Sequence, residues 1–206
     1  MEQHSNHLRF YRFMSKGYLS SFAVSPDLFE KALKENDCKA GGPREIQRLL
    51  REGDYPDWVQ FPIVFHQIDG TKLRDIIDSR RVDFDVISER VESILCKHNI
   101  TGWKTYPVRI FDKKENEIFG YRGFSVLGRG GRLIYLKDGP EVNFRFEKKD
   151  KILDLTEWDG SDIFLVFGVG IIISDRAMKL FKENRVSAVD YLPINDVYTV
   201  IYPSEL

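Results

Sequence analysis

The sequence predicts a single α+β domain over residues 1–206, with helical elements near the N-terminus and a duplicated strand–helix–strand unit around an antiparallel β-meander. The composition, with 42% hydrophobic and 31% charged residues, is that of an ordinary globular protein. Two observations carry the fold prediction: two segments align without gaps, which favours a repeat over a coincidence between two amphipathic helices, and short apolar runs alternate with glycine-containing turns in the central region. No low-complexity tract or Ser/Pro-rich linker marks a second domain, so residues 1–56 form an N-terminal subregion of the same domain.

The N-terminal subregion predicts a strand followed by two helices. Residues 8–14 are rich in aromatic side chains in loose alternation, which is typical of a strand. Residues 25–27, Ser-Pro-Asp, join an N-cap residue to a proline and an acid, and they predict the start of a short helix. A second helix is expected within residues 42–53, ending at its final glycine. Residues 59–65 predict a strand that lies at an edge or is broken, because a proline interrupts it.

The middle of the chain predicts strands separated by tight turns. Glycine-containing turns are expected at 128–131 and 138–139, which favours an antiparallel meander. The first of these turns lies in LGRGGR, which lacks the Gly-Lys-Ser/Thr ending of a P-loop and a following helix, so a hairpin turn is the better interpretation. The predicted strands are 119–127, 133–136, 142–146 and 152–155.

The repeated segment aligns residues 86–108 with residues 172–194 without gaps, at an offset of 86. Both copies have a serine at the N-cap position and an apolar stripe at i, i+3 and i+4 on the helix that follows. Each copy therefore predicts a strand, a capped helix and a second strand. Two such units could pack on a shared sheet with approximate internal symmetry. The identical pairs are Ile87 with Ile173, Ser88 with Ser174, Arg90 with Arg176 and Pro107 with Pro193.

The bulk numbers exclude several classes of function. The net charge of −1 gives no basic footprint for nucleic acid. Two cysteines, Cys38 and Cys96, cannot form a zinc site alone, and no catalytic or cofactor motif is recognisable. The longest near-apolar run covers the eleven residues 163–173, well short of a membrane span. We expect no secretory signal, because the first residues contain no apolar stretch of the length that one needs. We expect a cytoplasmic protein without metal, cofactor, catalytic residue, nucleic-acid or membrane partner.

An acidic cluster in the run DLTEWDGSD leaves several interpretations open. Glu157, Asp159 and Asp162 could serve a hydrolase if they met across a cleft, and convergent carboxylates could bind a metal ion. The calcium-loop pattern is not met. Asp159 with the glycine after it favours a structural turn, and contact with a partner is a further alternative.

The run TEWDGSDIF, followed by ISDR and a closing Leu-Pro, resembles the C-terminal half of bacterial immunity proteins. These are the myxobacterial-type immunity families of polymorphic-toxin and kin-discrimination systems. The first repeat copy and the run GYRGFSVLGRGG are similar to other characteristic segments of these families, so the resemblance covers residues 57–194. Some relatives carry a double C-x-x-C-G module that implies zinc; this sequence lacks it, so zinc is not carried over.

The resemblance implies a protein that binds and neutralises a cognate toxin by forming a non-covalent complex. An inhibitory surface leaves no short motif, because its aromatic and charged side chains are assembled in three dimensions. The alternatives are an interaction or regulatory module of another pathway, and a hydrolase that uses the acidic cluster. The candidate partner-binding residues are Trp158, Asp159, Asp162, Arg129 and Arg132, of which the tryptophan could equally belong to the core.

Overall fold

A computed structural model describes residues 9–16, 20–27, 43–55, 57, 59–79, 82–136 and 148–203 of the chain. It confirms the mixed α+β class, with strands predominating. The described helices are α1 (Pro43–Glu52), α2 (Glu89–Lys97), α3 (Asp175–Glu183) and α4 (Ile194–Val197), with a 3-10 turn at Lys148–Asp150. The described strands are β1 (Phe10–Ser15), β2 (Ala23–Pro26), β3 (Ile63–Asp69), β4 (Ile76–Ser79), β5 (Val82–Ser88), β6 (Trp103–Tyr106), β7 (Val108–Phe111), β8 (Glu117–Ile118), β9 (Tyr121–Val126), β10 (Gly128–Tyr135), β11 (Lys151–Asp154), β12 (Ile163–Phe167), β13 (Gly170–Ser174), β14 (Val189–Pro193) and β15 (Thr199–Ile201).

The strands form two mixed sheets. The first sheet has the order β14-β1-β13-β12-β10-β11-β15, and the second has the order β6-β9-β5-β4-β2-β3-β7-β8. From β14 and from β6, both sheets begin with three antiparallel pairs, followed by a parallel, an antiparallel and a parallel pair. The N-terminal strand β1 takes in the first sheet the place that β9 takes in the second.

The two segments that align in the sequence have the same local structure. β5, α2 and β6 form one strand–helix–strand segment, and β13, α3 and β14 form the other. Ser88 and Ser174 cap their helices by accepting hydrogen bonds from the backbone N–H groups of Val91 and Ala177. These caps satisfy helix donors that would otherwise be left without a partner at each first turn.

Asp75 lies directly before β4 and binds the loop that follows the helix of the other segment. Its carboxylate accepts hydrogen bonds from the backbone N–H of Ser187 at 2.9 Å and from the Ser187 hydroxyl at 2.8 Å. The Ser88 hydroxyl and the Arg90 guanidinium donate to the same carboxylate, each at 3.0 Å. Arg90 also donates to the carbonyl oxygen of Asn184 at the C-terminus of α3. One carboxylate thus ties its own helix start to the opposite helix end.

Asp162 lies directly before β12 and makes the reciprocal set of contacts. It accepts hydrogen bonds from the backbone N–H and the hydroxyl of Thr101, at 3.1 and 3.3 Å. The Ser174 hydroxyl donates to it at 2.8 Å, and Arg176 lies 3.3 Å from it. Arg176 in turn donates to the carbonyl oxygen of His98 at 3.0 Å, at the end of α2. We call the contacts of Asp75 and Asp162 the aspartate clasp.

The molecule has two halves, each made of one sheet and the helices that pack on it. A central apolar cluster joins these halves, and each sheet has a further cluster of its own. α1 packs on β5 and β9, with Leu50 fully buried in the cluster of the second sheet. Phe164 is fully buried in the cluster of the first sheet. Among the described residues, no helix combines the length and the apolarity needed to cross a membrane. The central cluster includes Phe13, Ile76, Val91, Leu95, Phe124, Ile173, Ala177 and Phe181.

The expected meander is wrong in its pairing. β9 and β10 are separated by Leu127 alone, yet they belong to different sheets. Residues 128–131, expected as a hairpin turn, are the start of β10. Apolar alternation identifies strands, but the partner of each strand is set by contacts far along the chain. The strand expected at 142–146, the turn at 138–139 and the helix expected after residue 27 lie outside the described residues.

We expect the aspartate clasp to make a large contribution to stability. Asp75→Ala and Asp162→Ala should each lower the free energy of unfolding by roughly 3 kcal/mol, because several charge-assisted hydrogen bonds are lost at once. Asp190→Ala is the matched control, since its ion pair with Lys16 is half-exposed and is worth about 0–1 kcal/mol. Urea denaturation followed by circular dichroism measures all three variants. Equal losses in control and clasp variants would contradict this assignment.

The clasp should also make stability depend on acid pH. Burial opposes ionisation of Asp75, but hydrogen bonds from Ser187, Ser88 and Arg90 outweigh it and lower the pKa of this carboxyl. The stabilisation is therefore fully present above the ordinary value of 3.8 and is lost as the pH falls through the lowered pKa of the folded protein. Unfolding free energies measured between pH 6 and pH 2.5 should show a shallower acid slope in Asp75→Asn. Parallel slopes for variant and wild type would exclude Asp75 as a source of the acid sensitivity.

Candidate functional site

A cleft of about 600 Å³ opens where the two halves of the molecule meet. One wall comes from β1 and β10, another from the C-terminal end of α1, and the rim from the hairpin between β12 and β13. Its volume lies in the range of binding pockets for small ligands and inserted side chains. The lining residues are Arg12, Arg51, Glu52, Arg129, Gly130, Gly131, Glu157, Leu165, Val166, Phe167, Gly168, Val169 and Gly170.

Positive charge predominates in the cleft. Three arginines line it, against the two carboxylates of Glu52 and Glu157. The Glu52 carboxylate is already paired with Arg48 at 2.8 Å. The Arg129 guanidinium donates to the backbone carbonyl oxygens of Val126, Gly128 and Glu52 at 2.8, 3.0 and 3.2 Å. Because these acceptors are neutral, they orient the guanidinium without neutralising its charge.

The wall of the cleft contains a break in strand pairing. The register of β10 against β12 shifts between Arg129 and Arg132, which places Gly130 and Gly131 in a bulge. Gly131 has φ +53°, and a Cβ there would lie 1.6 Å from the carbonyl oxygen of Asp154. Glycine is therefore required at this point, and the bulge brings bare backbone to the cleft surface.

The rim of the cleft carries an exposed aromatic side chain. Phe167 ends β12 and is 86% exposed, next to the tight turn through Gly168. Arg132, across from it on β10, is also exposed. A largely exposed phenylalanine beside an arginine joins two residue types that are enriched in protein interfaces.

Of the candidate residues predicted from the sequence, Trp158 packs into the protein. Its ring is half-buried against Phe10 and Phe164, with centroid distances of 5.0 and 5.8 Å. Its indole N–H donates to the carbonyl oxygen of Ser161 at 3.0 Å. The tryptophan supports the cleft wall from its core side, since a Cβ on Gly130 would lie 3.4 Å from Cδ1 of the Trp158 ring.

The predicted aspartates organise loops instead of lining the cleft. Asp159 accepts hydrogen bonds from the backbone N–H groups of Arg129 at 2.8 Å and Ser161 at 3.0 Å, which fixes the turn that the sequence indicated. Asp162 belongs to the aspartate clasp. Hydrogen bonds from Thr156 lower the pKa of Asp154 and keep it ionised as a turn acceptor. Glu157 alone of the predicted acidic cluster reaches the cleft.

The structure therefore brings together a set of residues that only partly overlaps the predicted one. Arg129 lines the cleft, and Arg132 lies beside its rim. Arg12, Arg51 and Phe167 were not predicted, although Gly168 after Phe167 interrupts an apolar run and hinted at an exposed turn. Within the parts of the chain that the structure describes, no three histidine, cysteine or acidic side chains converge to hold a metal ion.

Comparison with known proteins does not assign the chain to a family. It matches no protein-family model, and the comparison with curated proteins gives no significant match. The resemblance to immunity proteins therefore depends on the sequence motifs alone.

We expect Trp158 to act on stability. Trp158→Ala should cost roughly 3 kcal/mol of unfolding free energy, because it removes a large half-buried ring and leaves a cavity behind the bulge. Trp158→Phe should cost about 1 kcal/mol, since it loses mainly the hydrogen bond to Ser161. Urea denaturation measures both. A Trp158→Ala protein as stable as the wild type would return this residue to the list of partner-binding candidates.

Proposed function

We propose that this chain is an immunity protein that neutralises a cognate bacterial toxin domain in the cytoplasm by binding it non-covalently. The proposal takes the kind of partner from the resemblance of residues 57–194 to immunity proteins. It takes the binding surface from the structure. That surface is the arginine-lined cleft together with Phe167, and we call it the arginine cleft surface.

The observation that carries the proposal is the exposure of Phe167 at the rim of a positively charged cleft. Leaving a phenylalanine 86% exposed forgoes burial worth about 2 kcal/mol or more. A partner that covers this ring would recover that free energy at the centre of an interface. The guanidinium groups beside it supply charge for orientation and specificity.

Binding at this surface would need no catalytic group. The carboxylate of Asp159 already accepts hydrogen bonds from Arg129 and Ser161, and that of Asp162 from Thr101 and Ser174, so both are unsuited to general acid or base work in the cleft. An inhibitor acts by covering or locking its target through complementary shape and charge. The arginine cleft surface offers both a concave charged region and a protruding apolar side chain.

We also propose that the chain arose from two tandem copies of one unit that exchange their first strands. In this proposal β1 to β7 form one copy and β9 to β15 the other, with β1 and β9 each placed in the other copy's sheet. The matching strand orders, the two serine caps and the reciprocal clasp support it. Gly102 and Ala188 are a further matching pair, since both have positive φ. The carbonyl oxygen of Gly102 accepts a hydrogen bond from the backbone N–H of Leu127, and that of Ala188 accepts one from the backbone N–H of Lys16.

The toxin proposal is tested by co-expression with the toxic C-terminal domain encoded beside this gene. We expect the wild-type chain to restore growth and to co-purify with the toxin. Phe167→Ala should weaken the complex about 30-fold or more, the effect of removing a hot-spot side chain. Phe119→Ala is the matched control, because Phe119 is 78% exposed and follows β8 in the other sheet.

The outcomes separate the alternatives. Loss of rescue in Phe167→Ala alone, with an unchanged melting temperature, supports the arginine cleft surface. Full rescue by Phe167→Ala would place the interface elsewhere. Failure of the soluble wild-type chain against every toxin domain of the same locus would contradict immunity and favour a module of another pathway.

A further inference from the structure

We infer that the arginine cleft surface receives an acidic segment of the partner protein, with the Arg12 guanidinium as the group that contacts its carboxylates. This inference rests on the proposed function in one respect, namely that the occupant is a protein. It adds the chemistry that the occupant must present. Arg12, Arg129, Glu52 and Glu157 line the cleft and differ in the partners that their charged groups already have.

Arg12 is held in place by its strand, and no anionic side chain of the described residues pairs with its guanidinium. β1 lies between β13 and β14, where Arg12 pairs with Ile172 on one side and Leu192 on the other. Its side chain is half-buried and lines the cleft. Within the described ranges, the Arg12 guanidinium has neither a hydrogen-bond acceptor nor a carboxylate partner. A half-buried guanidinium without a carboxylate partner is suited to form a bidentate pair of hydrogen bonds with a carboxylate.

The surroundings of Arg12 strengthen the preference for an anion. Arg129 lines the same cleft, and the acceptors that hold it are backbone carbonyl oxygens. Glu52 lines the cleft as well, but Arg48 is paired with it. Glu157 is the remaining carboxylate, and it is exposed to solvent. The interaction of a guanidinium with a bound carboxylate is stronger in such a recess than in open water.

The lining indicates a protein segment in preference to a small anion. Leu165 is partly exposed and shares the cleft with the arginines, and the 86% exposed Phe167 stands at the rim. A phosphate ion would use only the charged groups and would leave this apolar surface in water. An acidic segment with apolar neighbours satisfies both kinds of group, as the cores and rims of protein interfaces do.

The inference can be tested on this protein alone by ¹H–¹⁵N nuclear magnetic resonance. The probe is a blocked hexaglutamate peptide, with hexaglutamine and inorganic phosphate as comparison ligands. The amides of Gly130, Gly131, Gly168 and Gly170 report on the cleft. We expect hexaglutamate to shift these amides with an affinity that falls as salt rises. Hexaglutamine should leave them unchanged.

Two substitutions make the test specific. Arg12→Gln should weaken hexaglutamate binding about fivefold or more, which corresponds to about 1 kcal/mol. Lys113→Gln is the matched control, because Lys113 is an exposed cation in the turn between β7 and β8 and should leave binding unchanged. The spectrum of each free variant verifies that it is folded.

The outcomes decide the inference independently of the toxin. No shift with hexaglutamate, or equal binding by Arg12→Gln, overturns it. Equal binding of phosphate and hexaglutamate overturns it in favour of a small-anion site. If hexaglutamate binds as expected while co-expression gives no rescue, the acidic specificity stands and the toxin proposal fails. If co-expression gives rescue but hexaglutamate does not bind, the toxin proposal stands and the inferred acidic specificity fails.

Discussion

The aspartate clasp is the interaction on which the rest of the structure depends. Asp75 and Asp162 each bind the start of one helix and the loop after the other helix, so neither half can turn away without losing both sets of contacts. These contacts are local in space but join residues far apart in the chain. The apolar cluster beneath them is shared by α2 and α3, and it holds the two halves together without fixing their relative orientation, because hydrophobic contacts are not directional. The hydrogen bonds of the two carboxylates fix that orientation.

The cleft exists because the clasp fixes how the halves meet. Arg51 and Glu52 reach it from α1, which packs on the second sheet. Arg12 and Phe167 reach it from the first sheet. The crossing of β1 and β9 between the sheets has the same effect, since it carries Arg12 from the N-terminal part of the chain into a wall formed by later strands. The geometry of the cleft is thus a property of the assembled pair of halves.

The charged side chains fall into two sets: aspartates that stabilise the fold and arginines that line the cleft. In the DLTEWDGSD run, the carboxylates of Asp154, Asp159 and Asp162 accept hydrogen bonds that fix turns and the clasp, whereas Glu157 lines the cleft. The arginines of the cleft have a different balance: Arg129 is oriented by carbonyl oxygens and keeps its charge. The aspartates of this acidic run therefore stabilise the fold, and arginines from distant parts of the chain line the cleft that we propose as the partner-binding surface.

The sequence by itself determined the local elements, whereas the tertiary structure decided their partners and the site. The serine caps and apolar stripes located α2 and α3, and the glycine at position 53 marked the end of α1, because caps and periodicity depend on neighbours within one or two turns. The same patterns could not show that β9 and β10 enter different sheets, since alternation carries no information about distant partners. The role of Asp162 was hidden for the same reason: its donors lie on Thr101 and Ser174, and only the fold brings them together. Arg12 and Phe167 carry no motif in the sequence, and their proximity at the cleft is set by strand order and the clasp.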